Sequence, residues 1–368
     1  MKARAFAAFG AAALALAAQS WQVAKPGYKY EFPRDHFSHP NFQTEWWYYT
    51  GNVRAADGHR FGFELTFFRQ GQHVTAEQVA DSAAVWRPDQ IYVAHLALSD
   101  IDGKQFFHTQ RLNRAGPELA GAGLTDRKYW NGNWQSKWIS LASGQQELQA
   151  VTEKLKLRLQ LTPEKPFVIN GENGVSRKGP LPGEASHYIT CTRLAAGGKL
   201  TWNGRNYDAK GVAWMDHEFF TESADNELAG WDWFAIQLDN RRELMLYRLR
   251  SKSGSDRFSS GTFVDADGKS RYLNASQFHI TPVKTWHSTN SGATYPISWK
   301  ITVPPLGFEM TEETALENQE LFDRDKLTPT YWEGAVTYSG FMQGTPARGV
   351  GYLEMTGYGG RTSPLAAP

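Results

Sequence analysis

One strand–turn–strand pattern occurs twice in this sequence, once in each half. Residues 46–69 begin with Trp-Trp-Tyr-Tyr, turn at an Asp-Gly pair and end in a second apolar run closed by Arg69. Residues 231–250 repeat this order around a turn at Asp-Asn and end at Arg250. Two further pairs of similar segments follow in the same order: 100–104 with 265–269, and 211–215 with 349–353. Because the spacing is not constant, the pattern indicates a two-fold duplication and not a solenoid. Residues absent from the other copy are then the better candidates for chemistry.

Length and charge fit two domains and argue against a nucleic-acid partner. A chain of 368 residues is too long for one ordinary core. Its 39 basic and 38 acidic side chains leave a net charge of +1 and form no long run of like charge, so no basic surface for phosphates is expected. Phe, Trp and Tyr make up 14% of the chain. Such rings favour strands and line pockets for apolar ligands.

Residues 1–20 have the features of a cleaved secretory signal peptide. A basic start is followed by an apolar run from Ala5 to Ala18, with small residues before a cleavage point expected between Ala17 and Trp21. The run is too short for a membrane anchor. We therefore expect a periplasmic or secreted protein. Cys191 is the single cysteine, which excludes an intramolecular disulfide, and its apolar surroundings predict a buried filler.

Strand signals dominate the remaining sequence. Residues 155–161 alternate Leu with polar or charged residues, as in a strand with one wet face. Residues 61–68 and 91–98 are apolar on both faces, which favours strands that border a barrel interior. Short helical turns are expected only at 75–80 and 311–324. The chain is predicted to be all-β, with antiparallel barrels or sandwiches.

The duplication divides this β structure into two domains. The predicted boundaries are 21–222 for the first domain and 228–362 for the second, with a polar linker at 221–227. The Gly-, Ser- and Pro-rich tail after about residue 358 is expected to fray.

Two short motifs approach known catalytic signatures without completing them. Residues 174–179 (GVSRKG) miss the Gly-x-Ser-x-Gly spacing of a nucleophile elbow and lack its strand–turn–helix context. Residues 217–221 (HEFFT) begin like a zinc-binding His-Glu-x-x-His helix, but Thr221 stands where the second His is needed. No metal or other cofactor is therefore expected.

Asp216, His217 and Glu218 form the strongest catalytic candidate. They follow one another at the end of an apolar strand, and the second copy has Glu354 and Met355 in the corresponding stretch. In a strand, Asp216 and Glu218 point to one side and His217 to the other. An inward His217 among aromatic rings can act as a general acid or base. The alternative is a hydrogen-bonded cluster that braces the domain junction.

Glu45 and Glu64 are further candidates because the second copy has Gly230 and Met245 at these places. A carboxyl group among aromatic rings has a raised pKa and suits a proton donor. Alternatively, these carboxylates pair with Arg69 or with His95. His95 lies in an apolar strand and can equally be a hydrogen-bonded core histidine.

Several motifs together resemble the hydroxyneurosporene synthase family, the AttH-like group of predicted secreted hydrolases. The similar segments cover roughly residues 28–360 and are 45–52, 94–100, 213–218, 230–234, 331–334 and 351–358. The resemblance implies two lipocalin-like β-barrels side by side. It also implies a scaffold for apolar chains, with hydration of acyclic carotenoids in one branch and periplasmic partners of a transport permease in another.

The catalytic pattern of the hydratase branch is only partly present. A His-x-Trp pair of that branch is matched by His217, with Phe219 in place of the Trp, and a Tyr-x-Asp pair by Tyr247, with Leu249 in place of the Asp. Asp216, Glu218 or Glu64 would then have to supply the proton.

These observations lead to one hypothesis and one alternative. The chain is predicted to bind a long apolar ligand, a lipid or isoprenoid, in an aromatic pocket near the junction of the barrels, with acid-assisted hydration or hydrolysis as its chemistry. The alternative is a non-catalytic periplasmic accessory protein of a lipid or lipoprotein ABC transport system, in contact with its inner-membrane permease. The predicted ligand-binding residues are Glu45, Trp46, Trp47, His95, Trp214, Trp231, Asp232 and Trp233.

Overall fold

The fold consists of two antiparallel β-sheets, each closed into a barrel. A computed structural model describes residues 21–72, 89–221, 228–325 and 328–360. Besides the strands, three single-turn 3-10 helices occur there, at Arg34–His36, Ala275–Gln277 and Pro304–Leu306. Within these ranges no helix is long and apolar enough to cross a membrane. The predicted signal peptide and residues 75–80 lie outside the described residues.

The first barrel is the larger sheet. Its strands are β1 (Thr44–Ala55), β2 (Arg60–Gly71), β3 (Gln90–Asp100), β4 (Gln105–Arg114), β5 (Ala120–Gly123), β6 (Lys128–Asn131), β7 (Trp134–Ser140), β8 (Gln145–Val151), β9 (Leu155–Pro163), β10 (Val168–Ile169), β11 (Ser176–Arg177), β12 (Ala185–Trp202) and β13 (Arg205–Phe220). The strand order is β4-β3-β2-β1-β13-β12-β9-β8-β7-β6-β5, and β10 and β11 pair with β12.

The second barrel follows from residue 228. Its strands are β14 (Leu228–Leu238), β15 (Glu243–Ser251), β16 (Ser260–Val264), β17 (Ser270–Asn274), β18 (His279–His287), β19 (Thr294–Val303), β20 (Phe308–Glu313), β21 (Glu320–Leu321), β22 (Tyr331–Met342) and β23 (Thr345–Met355). Their order is β17-β16-β15-β14-β23-β22-β20-β19-β18, with β21 beside β22.

The two strand orders show how the duplication was built. In the first sheet β4-β3-β2-β1 is followed by the returning pair β13-β12, and in the second β17-β16-β15-β14 is followed by β23-β22. The segments that match in sequence occupy equivalent strands, since 211–215 lies in β13 and 349–353 in β23. The prediction of two tandem lipocalin-like antiparallel barrels is confirmed.

Two expectations about local structure were wrong. Residues 311–324 form no helix, because 308–313 continue β20 between β19 and β22 and 320–321 form β21. Residues 61–68 and 91–98 are also not apolar on both faces. Their inner face, with Leu65 and Leu96, belongs to the cluster of buried side chains that fills the first barrel, as Trp299 and Trp332 do in the second. Their outer face, which carries Glu64, Thr66 and His95, meets the second barrel.

The barrels touch directly at one end of their interface. The amide of Asn52, near the end of β1, donates to the carbonyl of Gly351 at 3.0 Å. A Cβ on Gly62 would come within 2.4 Å of the Ala335 Cβ, so the sheets approach closely here. Gln237 Nε2 donates to the carbonyls of Thr192 and Ala213 at 2.8 and 2.9 Å. Toward the other ends of these strands the two sheets separate.

Candidate active site between the two barrels

A cavity of about 470 Å³ lies where the sheets separate. Its size falls in the range of small-molecule sites in proteins. The walls come from both barrels, and the strand residues that line it include Trp46, Tyr48, Glu64, Thr66, Phe68, His95, Tyr188, Asp216, Glu218 and Phe220 from the first and Trp231, Trp233, Tyr247, Leu249, Tyr331, Glu333, Glu354 and Thr356 from the second. The predicted pocket near the barrel junction therefore has a physical counterpart, outside the barrel interiors.

Strand alternation decides which residues reach the cavity. On β13, Asp216 and Glu218 face it, whereas Met215 and His217 are not among its lining residues. On β1, Trp46 lines it, while Trp47 belongs to the core of the first barrel. Successive side chains of a strand point to opposite faces, so each interface strand contributes every second residue.

Aromatic rings form the apolar part of the wall. The Trp46 ring packs edge-to-face on Phe220 at 5.0 Å and lies 6.3 Å from the Phe68 ring. Across the cavity, Trp233 packs edge-to-face on Tyr48 at 5.2 Å. Such faces can bind an apolar chain and stabilise positive charge that develops in it.

Three carboxyl groups, Glu64, Glu333 and Glu354, meet in this cavity and are called the carboxyl cluster below. Glu333 and Glu354 stand directly opposite each other on β22 and β23. Two like charges in such a position are destabilising, which favours protonation of at least one. Tyr48 donates a hydrogen bond to Glu333 Oε1. Thr66 and Tyr331 donate to Glu64 Oε1 at 2.9 and 3.3 Å.

Burial raises the pKa of all three groups of the carboxyl cluster. It raises the pKa of Glu64 to about 7 and that of Glu354 to about 8. For Glu333, burial and the neighbouring Glu64 and Glu354 together raise the pKa well above its ordinary value. Glu64 Oε2 is buried and has no hydrogen-bond partner among the described residues.

Asp216 and Glu218 occupy a more polar environment in the first barrel. Asp216 Oδ1 accepts hydrogen bonds from Thr190 and the Trp214 indole at 2.6 and 2.9 Å, and Oδ2 accepts one from Tyr188 at 2.7 Å. Burial raises the pKa of Asp216 to about 7, against these three donors, which lower it. Donors on both oxygens stabilise the carboxylate form, so Asp216 can act as a proton acceptor at pH 7 and above.

Glu218 is held by a cation and a hydroxyl group. Its Oε1 lies 2.9 Å from the Lys178 Nζ and also accepts a hydrogen bond from Ser186. The two sides of the cavity thus differ in composition, with three carboxyl groups together on one side and the Lys178–Glu218 ion pair on the other.

His95 lies beside the carboxyl cluster. Its Nδ1 is 2.7 Å from the Tyr331 hydroxyl, which in turn reaches Glu64. Burial and the nearby His108 lower the pKa of His95 to about 3, so its ring is neutral. This neutral imidazole can orient the Tyr331 hydroxyl and thereby Glu64.

His217 and Glu45 lie in a separate buried network on the core side of β1 and β13. Glu45 Oε1 is 2.9 Å from His217 Nε2 and 2.7 Å from His39 Nδ1, and Oε2 is 2.9 Å from Arg69 Nε. His39 Nε2 continues to Asp35 at 3.1 Å. Burial would raise the pKa of Glu45, but Arg69 and His39 hold it well below its usual range. The alternative in which Glu45 pairs with Arg69 is the arrangement found.

This network contains a possible set of metal ligands. One ligand atom each from His39, Glu45 and His217 lie within 4.8 Å of one another. However, His39 lies between two carboxylates, which raise its pKa despite burial and favour an imidazolium. A metal needs neutral imidazole, and Arg69 already balances the charge of Glu45. The residues fit a closed ion-pair network better than a cation site.

The remaining predicted site residues lie around the cavity in supporting positions. Trp214 is buried beneath Asp216, to which it donates. Asp232 points away from the cavity and pairs with Arg250 and the Tyr358 hydroxyl at 3.3 and 3.0 Å. Tyr247 lines the cavity, but its hydroxyl is engaged by Ser176 and Ser260 at 2.7 and 2.5 Å.

Comparison with known proteins identifies the family. The sequence profile of the AttH-like family matches residues 23–358. The chain belongs to the AttH-like family. A solved relative described as an AttH protein, from Nitrosomonas europaea, is 33% identical, with a TM-score of 0.80 over 92% of this chain and 99% of that one.

More distant similarities reach enzymes of fungi. Kievitone hydratase from Nectria haematococca is 16% identical, with a TM-score of 0.70 over 92% of this chain and 96% of that one, and shares the fold. The dehydratase asqC of Emericella nidulans is 22% identical over 151 residues, 40% of this chain and 42% of that protein. The match therefore spans less than half the length of this curated relative.

Sequence reasoning missed Glu333, Glu354, Tyr331 and Lys178. Candidates were chosen among residues without a counterpart in the other copy, and Glu354 has one. It corresponds to Asp216 when the matched segments of β13 and β23 are extended by one residue. The signal for Glu354 was thus present as a repeated acidic position. Lys178 gave no signal, because its role depends on a hairpin that folds over a distant strand.

Proposed function

We propose that this AttH-like protein is a hydro-lyase, which adds water to or removes water from an apolar substrate bound between its two barrels. The observation that supports this most directly is the contrast between two buried acids of the cavity. Glu354 lies opposite a second carboxyl group, Glu333, and its pKa is raised to about 8, whereas Asp216 is held by three donors and its pKa is raised to about 7. Two acidic groups whose surroundings separate their pKa values are the usual basis for acid and base roles in one site.

The two groups account for both steps of a hydration. A proton moves from a carboxyl of the cluster, such as Glu64, to one carbon of a double bond, and positive charge develops on the other carbon. Aromatic faces such as Trp231 and Trp233 line the same cavity and stabilise that charge. Water then bonds to the second carbon while Asp216 accepts its proton. Dehydration is the reverse sequence, in which protonated Asp216 gives its proton to the departing hydroxyl group and a carboxylate of the cluster takes the proton from carbon.

The names of two distant relatives support this reaction class. One is a hydratase with the same fold, and the other a dehydratase that shares a segment of sequence. These two reactions differ only in direction, as expected if one arrangement of acid and base serves both. The apolar wall favours a lipid or isoprenoid substrate, and the signal-like residues 1–20 place the reaction outside the cytoplasm in this proposal.

A binding protein without catalysis is the second candidate. The ring-lined cavity would equally suit a lipid carrier that works with an ABC transporter. A carrier needs the apolar wall but no proton donor. Replacing the carboxyl groups of the cluster by amides would therefore abolish turnover by an enzyme but leave ligand binding by a carrier unchanged.

The test follows hydrogen transfer in deuterium oxide. The mature protein is incubated with acyclic isoprenoids, linalool and geraniol as alcohols and myrcene as an alkene, and the products are analysed by mass spectrometry. We expect gain or loss of one water, with deuterium on carbon after hydration. Glu333→Gln and Glu64→Gln should abolish this exchange. Glu312→Gln, which changes a buried glutamate that does not line the cavity, is the matched control.

Two results would contradict the enzyme proposal. One is equal turnover in wild type and in the Glu333→Gln/Glu64→Gln double variant. The other is a co-purifying lipid, detected by native mass spectrometry, that both proteins bind and neither converts. The second result would support the carrier.

A further inference from the structure

Lys178 is the only cation inside the cavity among the described residues that line it, since Arg257 is exposed at the mouth. It is positioned by a hairpin in which β11 pairs with the start of β12. The Tyr247 hydroxyl fixes this hairpin through Ser176 at 2.7 Å. A lysine on an open loop would be solvated and mobile, whereas this ammonium is held at a defined place on the wall.

The ammonium is only partly satisfied by its surroundings. Its Nζ is 2.9 Å from Glu218 Oε1 and lies 4.3 Å from the centre of the Tyr247 ring and 5.3 Å from that of Tyr188. A lysine ammonium has three N–H donors, and within the described residues one carboxylate and two ring faces surround this one. Ring faces attract a cation without accepting a strong hydrogen bond. Donor capacity therefore remains toward the cavity.

We propose that Lys178 forms an oxyanion-binding subsite, and that the substrate is an apolar molecule carrying an acidic oxygen, such as an enol or a phenol. This inference deepens the proposed function and depends on the cavity being the substrate site. It narrows the substrate class from any apolar alkene to one with an ionisable oxygen on the side of Asp216 and Lys178, opposite the carboxyl cluster.

The positions of Asp216 and Tyr188 complete the subsite. Tyr188 donates to Asp216 and also accepts a hydrogen bond from the Trp233 indole at 3.0 Å, so its hydroxyl is fixed on the same wall. The substrate O–H bond breaks as the molecule binds, its proton passes to solvent water and the electron pair stays on oxygen. The charged Lys178 then faces the oxyanion, which limits the penalty of burying an anion. Asp216 stays available to accept the proton of the water that adds to the double bond.

Two probes test this subsite separately from the cavity. N-phenyl-1-naphthylamine, a neutral fluorophore, reports whether the cavity binds an apolar molecule. 4-Nitrophenol reports ionisation, because its anion absorbs visible light and its neutral form does not. We expect wild type to bind 4-nitrophenol as the anion, with its pKa lowered. Lys178→Met should weaken anion binding at least about tenfold, the loss expected for one charge-assisted hydrogen bond, and Lys178→Arg should restore much of it.

Controls separate a lost subsite from a disturbed fold. Lys199→Met removes an exposed lysine that pairs with Asp208, so it should bind both probes like wild type. Lys178→Met/Glu218→Gln removes the carboxylate left unpaired by the single change, and it should still fail to bind the anion while keeping the neutral fluorophore.

The subsite is overturned if 4-nitrophenol binds wild type only in its neutral form, or if the double variant binds the anion as tightly as wild type. In both cases, continued binding of N-phenyl-1-naphthylamine would leave the proposed function standing. Failure of both probes to bind wild type would remove the cavity as a substrate site and overturn both proposals together.

Discussion

The cavity-facing layer of the first barrel and the equivalent layer of the second carry different chemistry at matching positions. Asp216 on β13 corresponds to Glu354 on β23. Opposite Asp216 on the neighbouring strand lies Thr190, whose hydroxyl donates to it. Opposite Glu354, at the matching place, lies the second carboxyl, Glu333. One acidic position inherited by both halves thus faces hydrogen-bond donors in one barrel and a second carboxyl group in the other, and its pKa is about 7 in the first and about 8 in the second.

This difference shows how a duplication can produce an acid and a base from one ancestral position. The backbone environment of Asp216 and Glu354 is the same, and the neighbouring strand decides their ionisation. Lys178 adds positive charge on the first side only, because the hairpin that carries it extends β12. Symmetry of the fold therefore does not imply symmetry of the site.

The largest expected effect is on the pH dependence of turnover. Glu354→Gln should remove the alkaline limb of the profile, because activity that needs a protonated carboxyl falls as the pH rises through its pKa of about 8. Asp216→Asn should remove the acidic limb, because a base is lost as the pH falls through about 7. Each change should lower turnover of the active isoprenoid roughly a hundred- to ten-thousand-fold. If both variants alter the same limb, the two halves are not an acid and a base.

The buried network behind the cavity should respond in stability instead. Arg69→Met removes the guanidinium that pairs with buried Glu45 and leaves His39 as its main cationic partner, so it should lower the free energy of unfolding by about 3–5 kcal/mol. The measurement is urea unfolding followed by tryptophan fluorescence. Glu333→Gln, on the cavity side, is the comparison and should change stability far less, because it replaces a protonated carboxyl by a similar amide. Similar losses in both variants would erase the distinction between the two regions.

The protonated cluster should also make stability depend on pH. Glu64, Glu333 and Glu354 have higher pKa values in the folded chain than in the unfolded chain. Their contribution to stability is complete below the ordinary value of 4.5 and is lost as the pH rises through about 8. We expect a higher melting temperature near pH 5 than near pH 8. The corresponding difference in the free energy of unfolding is on the order of 1 kcal/mol per group.

A triple Glu→Gln variant of the cluster provides the control for this dependence. Its melting temperature should vary less between the two pH values than that of wild type. An unchanged slope would mean that other groups cause the dependence and that the cluster is ionised in the folded protein.

The smallest effect is expected inside the second barrel. Glu312 is fully buried, neither of its carboxyl oxygens has a hydrogen-bond partner among the described residues, and burial raises its pKa well above the ordinary value. Glu312→Gln should stabilise the protein at pH 8 by about 1 kcal/mol and have almost no effect at pH 5. Thermal unfolding at both pH values checks this. Destabilisation at pH 8 would show that Glu312 has a partner in solution.

Several features of the site could be predicted from the sequence because they depend on neighbours along the chain. Strand alternation placed Asp216 and Glu218 on one face and His217 on the other, as found. Glu64, His95 and the Trp46 and Trp231 rings were also recognised as candidates, and all four line the cavity. The choice of His217 as the catalytic centre depended on a face that the sequence could not assign, because both faces of β13 combine apolar and ionisable residues near its end.

The sequence by itself determined the number of barrels and the alternation along the strands, because these follow from the duplication and from local periodicity. The tertiary structure alone decided which face of β13 meets the ligand, and that Glu64 of the first barrel lies beside Glu333 and Glu354 of the second. The physical reason is that the pKa of a carboxyl depends on burial and on its neighbours in space. Those neighbours come from strands that meet only when the two barrels pack together.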